Sequence, residues 1–167
     1  MSSTALDSAV FHQDIPRLHQ LLTSGADVNS RNSDNLTALM TSALDNCVPL
    51  AELLLHHGAR LDLVDDLNNT AAMTAALHGH VEVLEVLCAH GSMLEARSSS
   101  GLTALALAVA ARKPACVSML LDHGASLEVR DWRGRSISHI AGRSRCPEIV
   151  ETLEGERLRR GEMKQHM

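Results

Sequence analysis

The chain has 167 residues, 45% hydrophobic and 21% charged, with a net charge of −5; these are the proportions of one soluble globular domain. The charge is uneven: residues 1–128 hold six Lys or Arg against fourteen Asp or Glu, whereas residues 129–167 hold nine against six. Acidity over most of the length excludes general nucleic-acid affinity, and no stretch approaches the ~20 apolar residues that cross a bilayer.

Phe11 and Trp132 are the only aromatic residues, so Leu, Val, Ala and Met must form the core, which suits small units stacked closely. The polar start MSSTALDSAV lacks the basic-then-apolar order of a secretory signal, so an intracellular protein, cytoplasmic or nuclear, is expected.

One interval organises the whole chain. Gly25, Gly58, Gly91 and Gly124 stand 33 residues apart, and so do Thr4, Thr37, Thr70, Thr103 and Ser136, the mark of an internal repeat. The first unit opens at Thr4 on TALDSAV, where a Thr hydroxyl followed by apolar residues predicts an N-capped inner helix. Pro16 then suits the first turn of an outer helix. Leu18, Leu21 and Leu22 give that helix its i, i+3, i+4 stripe, and Gly25 ends it as a left-handed C-cap.

The pattern repeats from Thr37 with Pro49 and the stripe Ala51, Leu54 and Leu55, and from Thr70 with Leu84, Leu87 and Cys88. Thr103 opens a fourth unit with Pro114, Val117, Leu120 and Leu121, and Ser136 opens a fifth with Pro147. Asn35, Asn68, Gly101 and Gly134 precede the openings by two residues, types that tolerate positive φ. Hairpin loops are therefore predicted at about 26–36, 59–69, 92–102 and 125–135. In the fifth unit Glu154 replaces the last stripe residue and Arg157 the Gly, which marks the polar end of a finite stack.

The openings TALMTSA, TAAMTAA and TALALAV, the closings LLTSGADVN, LLLHHGARLD, VLCAHGSMLE and LLDHGASLEV, and the mid-unit Gly79-His80 together resemble the ankyrin repeat. The resemblance spans residues 1–154. It implies an all-α repeat solenoid, a helix-turn-helix stack with short β-hairpin loops, in units of about 1–34, 35–67, 68–100, 101–133 and 134–154. Residues 155–167 are expected to be a polar tail or a frayed extension of the last helix. The chain departs from the family's Thr-Pro-Leu-His opening: the Pro is absent throughout, and Asp7, Met40, Met73 and Ala106 stand at His positions that only His139 retains. Cohesion between units is therefore expected to lean on Leu, Ala and Met packing.

Catalytic and metal readings fail on spacing. His57, His90 and His123 recur at the unit interval, but equivalent positions of stacked helices lie ~8–10 Å apart, too far to converge on one ion about 2 Å from each ligand. Cys47, Cys88, Cys116 and Cys146 form no CxxC pair, and the sequence names no base for a cysteine nucleophile. Neither a Walker-type loop nor HExxH is present. A non-enzyme without metal or cofactor is expected.

The resemblance implies instead a protein-binding face made of the hairpin tips and the exposed inner-helix positions. Asp34, Leu36 and Leu44, then Asp66, Leu67 and Leu77, then Leu102, then Arg130, Trp132, Arg133, Arg135 and Arg143 occupy those positions. This face has an apolar middle and a basic end. Trp and Arg are enriched in interface hot spots, although Trp132 could equally pack on the loop of Leu102, and Arg133 and Arg135 could merely solvate their hairpin. The expected function is an adaptor or stoichiometric inhibitor that holds another protein or peptide, an apolar segment followed by carboxylates. The alternative is a self-associating assembly subunit; membrane and nucleic acid are not expected partners. Asn29 resembles the hairpin asparagine that some asparaginyl hydroxylases modify, and its other reading is a hairpin hydrogen bond.

Overall fold

The computed structural model describes residues 2–165 and contains ten helices in that span. Inner helices α1 (Ser2–Phe11), α3 (Ala38–Leu44), α5 (Ala71–His78), α7 (Ala104–Ala110) and α9 (Ile137–Ser144) alternate with outer helices. The outer set is α2 (Ile15–Thr23), α4 (Val48–His56), α6 (Val81–Ala89), α8 (Pro114–Asp122) and α10 (Pro147–Gln165). Each inner helix packs on its own outer partner and on the next inner helix, and the outer helices pack in series. The result is a two-layer all-helical stack.

Local chemistry starts and stops these helices where the repeat predicts. Thr37, Thr70, Thr103 and Ser136 accept the amides of Met40, Met73, Ala106 and His139 at 3.3–3.4 Å. The first opening differs, because α1 starts at Ser2 and so already includes Thr4. Pro16, Pro49 and Pro114 lie in the first turns of α2, α4 and α8, and the recurrent glycines end the outer helices at φ of 82–94°. Arg157, standing where a fifth Gly would fall, provides no such stop, and α10 runs on through Gln165. Arg160 on that continuation donates to the carbonyls of Leu121 at 3.2 Å and Ala125 at 3.0 Å. It thereby satisfies the C-terminal end of α8 with a cation.

Small residues bring the inner layer close together. Ala71, Ala72, Ala75 and Ala76 of α5 and Ala104, Ala106 and Ala108 of α7 are buried, while Leu18, Leu50, Leu54, Leu84, Leu87 and Leu120 fill the space toward the outer layer. Met40, Met73 and Ala106 are buried as well. At these three openings, apolar packing stands where the family motif has histidine.

A second left-handed position recurs between the two helices of each unit. Gln13, Asn46, Gly79, Arg112 and Arg145 all have φ between 51° and 86°, and four of the five carry a Cβ that disfavours this conformation. Gly79 and Asn46 are of types that tolerate it, whereas Gln13, Arg112 and Arg145 give no such signal. Replacing Gln13 or Arg112, both exposed, by Gly relieves that strain and also loosens the unfolded chain. The net expectation is a gain of about 0.5–1 kcal/mol per site, to be read as a raised urea midpoint; a lowered midpoint at both sites would refute the strain argument.

Candidate functional site

The four loops share one construction. Asn32, Asp65, Ser98 and Asp131, again 33 residues apart, each point a side-chain oxygen into the turn. Asn32 accepts the amides of Asp34 and Leu36, Asp65 those of Leu67 and Asn69, Asp131 those of Arg133 and Arg135, and Ser98 that of Leu102. One acceptor closes each tip, and Asn35, Asn68, Gly101 and Gly134 turn the chain at φ of 59–74°. The hairpins are pared down: the first and fourth retain single antiparallel bridges, Arg31 to Thr37 and Arg130 to Ser136.

Neighbouring tips are bonded to one another. Asn35 Nδ2 donates to Asp66 Oδ1, Ser99 N to the carbonyl of Leu67 at 2.9 Å, and Trp132 N to that of Ser100 at 3.3 Å. Arg97 donates Nη1 to the carbonyls of both Gly101 and Arg130. Gly101 is needed here twice over, for its positive φ and because a Cβ would lie 2.9 Å from the backbone nitrogen of Trp132. A polar ladder therefore does link the units, in the loops.

Asn29 belongs to this ladder. Its half-buried side chain accepts the amide of Arg60 at 2.9 Å, and Glu95 accepts that of Ser126 in the equivalent relation. Asp62 turns instead to Arg60 at 2.6 Å.

On this scaffold the candidate binding residues separate into groups. Trp132 is 66% exposed and Leu67 63% exposed at the tips, while Leu44 and Leu77 are each 38% exposed on the inner helices. Phe11 is 79% exposed at the unit position of those two leucines. Leu36 and Leu102 are half-buried and pack against the core. Asp34 is exposed, and Asp66 is held by Asn35.

The arginines also divide. Arg133 lies 4.5 Å over the Trp132 ring, a cation–π pairing. Arg130 donates to the carbonyl of Gly134 at 3.0 Å, bracing its own hairpin as Arg31 and Arg97 brace theirs. Arg135 is bound to buried Asp131 at 2.6 Å, so its charge is cancelled locally. Arg143 has no ion pair among the described residues.

Elsewhere, His57 and His19 share a hydrogen bond at 3.2 Å, and His80 donates Nδ1–H to the carbonyl of Ala43 at 3.0 Å, joining the second and third units. Burial pushes the thiols of Cys88 and Cys116 up to about 11, so both are protonated and poorly nucleophilic at neutral pH.

The role of Asp131 was legible only in its spacing from Asn32, Asp65 and Ser98, since one Asp among four arginines reads as a surface charge. Withdrawal from water raises its pKa, but the side-chain bond from Arg135, the amides of Arg135 and Arg133 and the Arg135 charge together hold it below the ordinary value. A depressed carboxylate contributes stability above its unfolded pKa of about 3.9 and loses it as pH falls through the lower folded value. Emission from Trp132, the adjacent and only Trp, should therefore change in acid with a midpoint below about 3.9. Asp131→Asn should abolish that step, and an unaltered step in the variant would refute the assignment.

No helix among the described residues is long and apolar enough to cross a membrane. No curated protein matches the chain in sequence. The model of ankyrin repeats in three copies matches residues 6–98 and 93–158, the span over which the paired helices, threonine caps and recurrent loop turns were found. On that match, which takes in most of its length, the chain belongs to the ankyrin repeat family.

Proposed function

We propose that the chain is a non-enzymatic binding module, an adaptor or stoichiometric inhibitor, that holds a protein segment against its tips and inner helices. Ankyrin repeats are typically non-catalytic and generally bind other proteins; the finer reading rests on what this surface displays. The observation that carries it is the file Phe11, Leu44, Leu77 and Ala110, one residue per unit at the same position and all exposed. Beside it rise Leu67 and Trp132 at the tips.

Burying such side chains drives association, at about 25 cal/mol per Å² of apolar surface before the costs of binding. The basic end supplies the sign of the partner. Arg130, Arg133 and Arg143 keep their positive charge at the end of the apolar file, whereas Arg135 has surrendered its charge to Asp131. The segment that fits is therefore apolar along its length and acidic where it reaches the fifth unit.

Affinity capture from source-cell lysate, with the retained protein then titrated calorimetrically, tests this. Trp132→Ala should weaken binding about 30-fold, the hot-spot scale of ~2 kcal/mol, and raising salt from 0.05 to 0.5 M, on the order of a threefold shorter Debye length, should weaken it further. Binding that ignores both changes would remove the tips and the basic end from the interface. A mass that rises with concentration in light scattering, without any retained protein, would make the face a self-association surface.

A further inference from the structure

The exposed inner-helix file changes character at its last member. Phe11, Leu44, Leu77 and Ala110 are followed at the same unit position by Arg143, and the change falls on a groove between the fourth and fifth units. Leu102, Ala110 and Ile140 are its apolar lining and Asp131, Arg135, Arg143 and Ser144 its polar lining, around about 230 Å³.

Charge selects the occupant further. The Asp131 carboxylate is 2.6 Å from the Arg135 guanidinium, so the pair contributes no net charge, and Arg143 has no ion pair among the described residues. The lining therefore carries a single uncompensated positive charge, together with apolar side chains that an incoming group would dry. One anionic group placed beside one apolar side chain matches both.

We infer that this groove selects a peptide residue pair of an apolar side chain and one carboxylate, with Arg143 as the residue that meets the carboxylate. The inference rests on the proposed protein-binding role and adds to it the feature that the fifth unit recognises. The carboxylate has two sources, an Asp or Glu side chain next to the apolar residue, or the free C-terminus of a chain ending on an apolar residue. The chemistry at Arg143 is the same for both.

Two libraries of random octapeptides, one with free and one with amidated C-termini, selected against the full chain, read the preference directly. Enriched sequences should pair an apolar residue with an acid. Synthesised as pure peptides, they should bind about tenfold or more weakly to Arg143→Gln, as loss of a charge-assisted hydrogen bond predicts, with part of the affinity recovered in Arg143→Lys and none lost in Arg17→Gln on the outer helix α2. Loss on amidation assigns the carboxylate to a chain terminus, and loss on Asp→Asn or Glu→Gln in the peptide assigns it to a side chain.

No enrichment in either library, enriched peptides without a carboxylate in the bound pair, or an Arg143→Gln affinity within about twofold of wild type would overturn the inference, because a charge-assisted bond is worth more than that. Leu44→Ser/Leu77→Ser, outside the groove, separates this from the broader role. If that variant loses a captured partner while Arg143→Gln retains it, the apolar face binds and the groove is not selective. If neither variant matters, both readings fall.

Discussion

A pair of helices seven to ten residues long, the length of those in the first four units, cannot bury its own apolar face, and everything else in this molecule follows from that insufficiency. Stability in such a stack is a sum over units and their nearest-neighbour interfaces. Side chains on the two stacking faces are therefore held to small or aliphatic types, as the alanines of α5 and α7 and the leucines and valines of α4, α6 and α8 show. Positions that face neither neighbour are released from that demand. Phe11, Leu44 and Leu77 stand partly or largely in solvent, so folding alone does not require their apolar character.

The loops solve a related difficulty. A projecting tip has little apolar contact to hold it, and a tip that wanders would cost entropy whenever a partner ordered it. The single acceptor at Asn32, Asp65, Ser98 or Asp131 fixes each turn from within. The tip-to-tip bonds then tie Asp66 to Asn35, Ser99 to Leu67 and Trp132 to Ser100. Each such exposed bond contributes little, on the order of 1 kcal/mol or less. In series they convert four separate turns into one edge, and Trp132 at its end is presented on backbone already paired.

Much of this was legible in the sequence because the deciding chemistry is local. A Thr before an apolar run caps the helix that follows, a Pro marks a first turn, and Gly permits the left-handed stop; each acts within four residues, and the repeat shows each several times. The exposure of Leu44, Leu67, Leu77 and Trp132 could also be read from their place in the unit. What stayed hidden either lacks a residue signature or spans units. Gln13, Arg112 and Arg145 adopt positive φ because the tight connection between their helices imposes it, although their own chemistry opposes it. Arg160 reaches carbonyls 35 and 39 residues away, and the polar run around it, GERLRRGE, gives no hint of that. Leu36 and Leu102 looked like surface residues until the loops folded back and packed them against the core.

The basic end shows how misleading a count of charges can be. Arg130, Arg133, Arg135 and Arg143 read together as one acid-binding cluster, yet the fold gives them four different employments: a hairpin brace, a partner for an indole ring, a counter-ion for a buried carboxylate and an unpaired group beside a groove. The difference matters because charge in a partly apolar site is worth more than the same charge in open water. If all four guanidinium groups were free, the surface would attract acidic segments indiscriminately, and screening by salt would remove most of the attraction. By cancelling Arg135 against Asp131, the fourth hairpin leaves one cation where apolar side chains from two units converge. Attraction there depends on what accompanies the acid, and specificity arises from the charges removed as much as from the charge that remains.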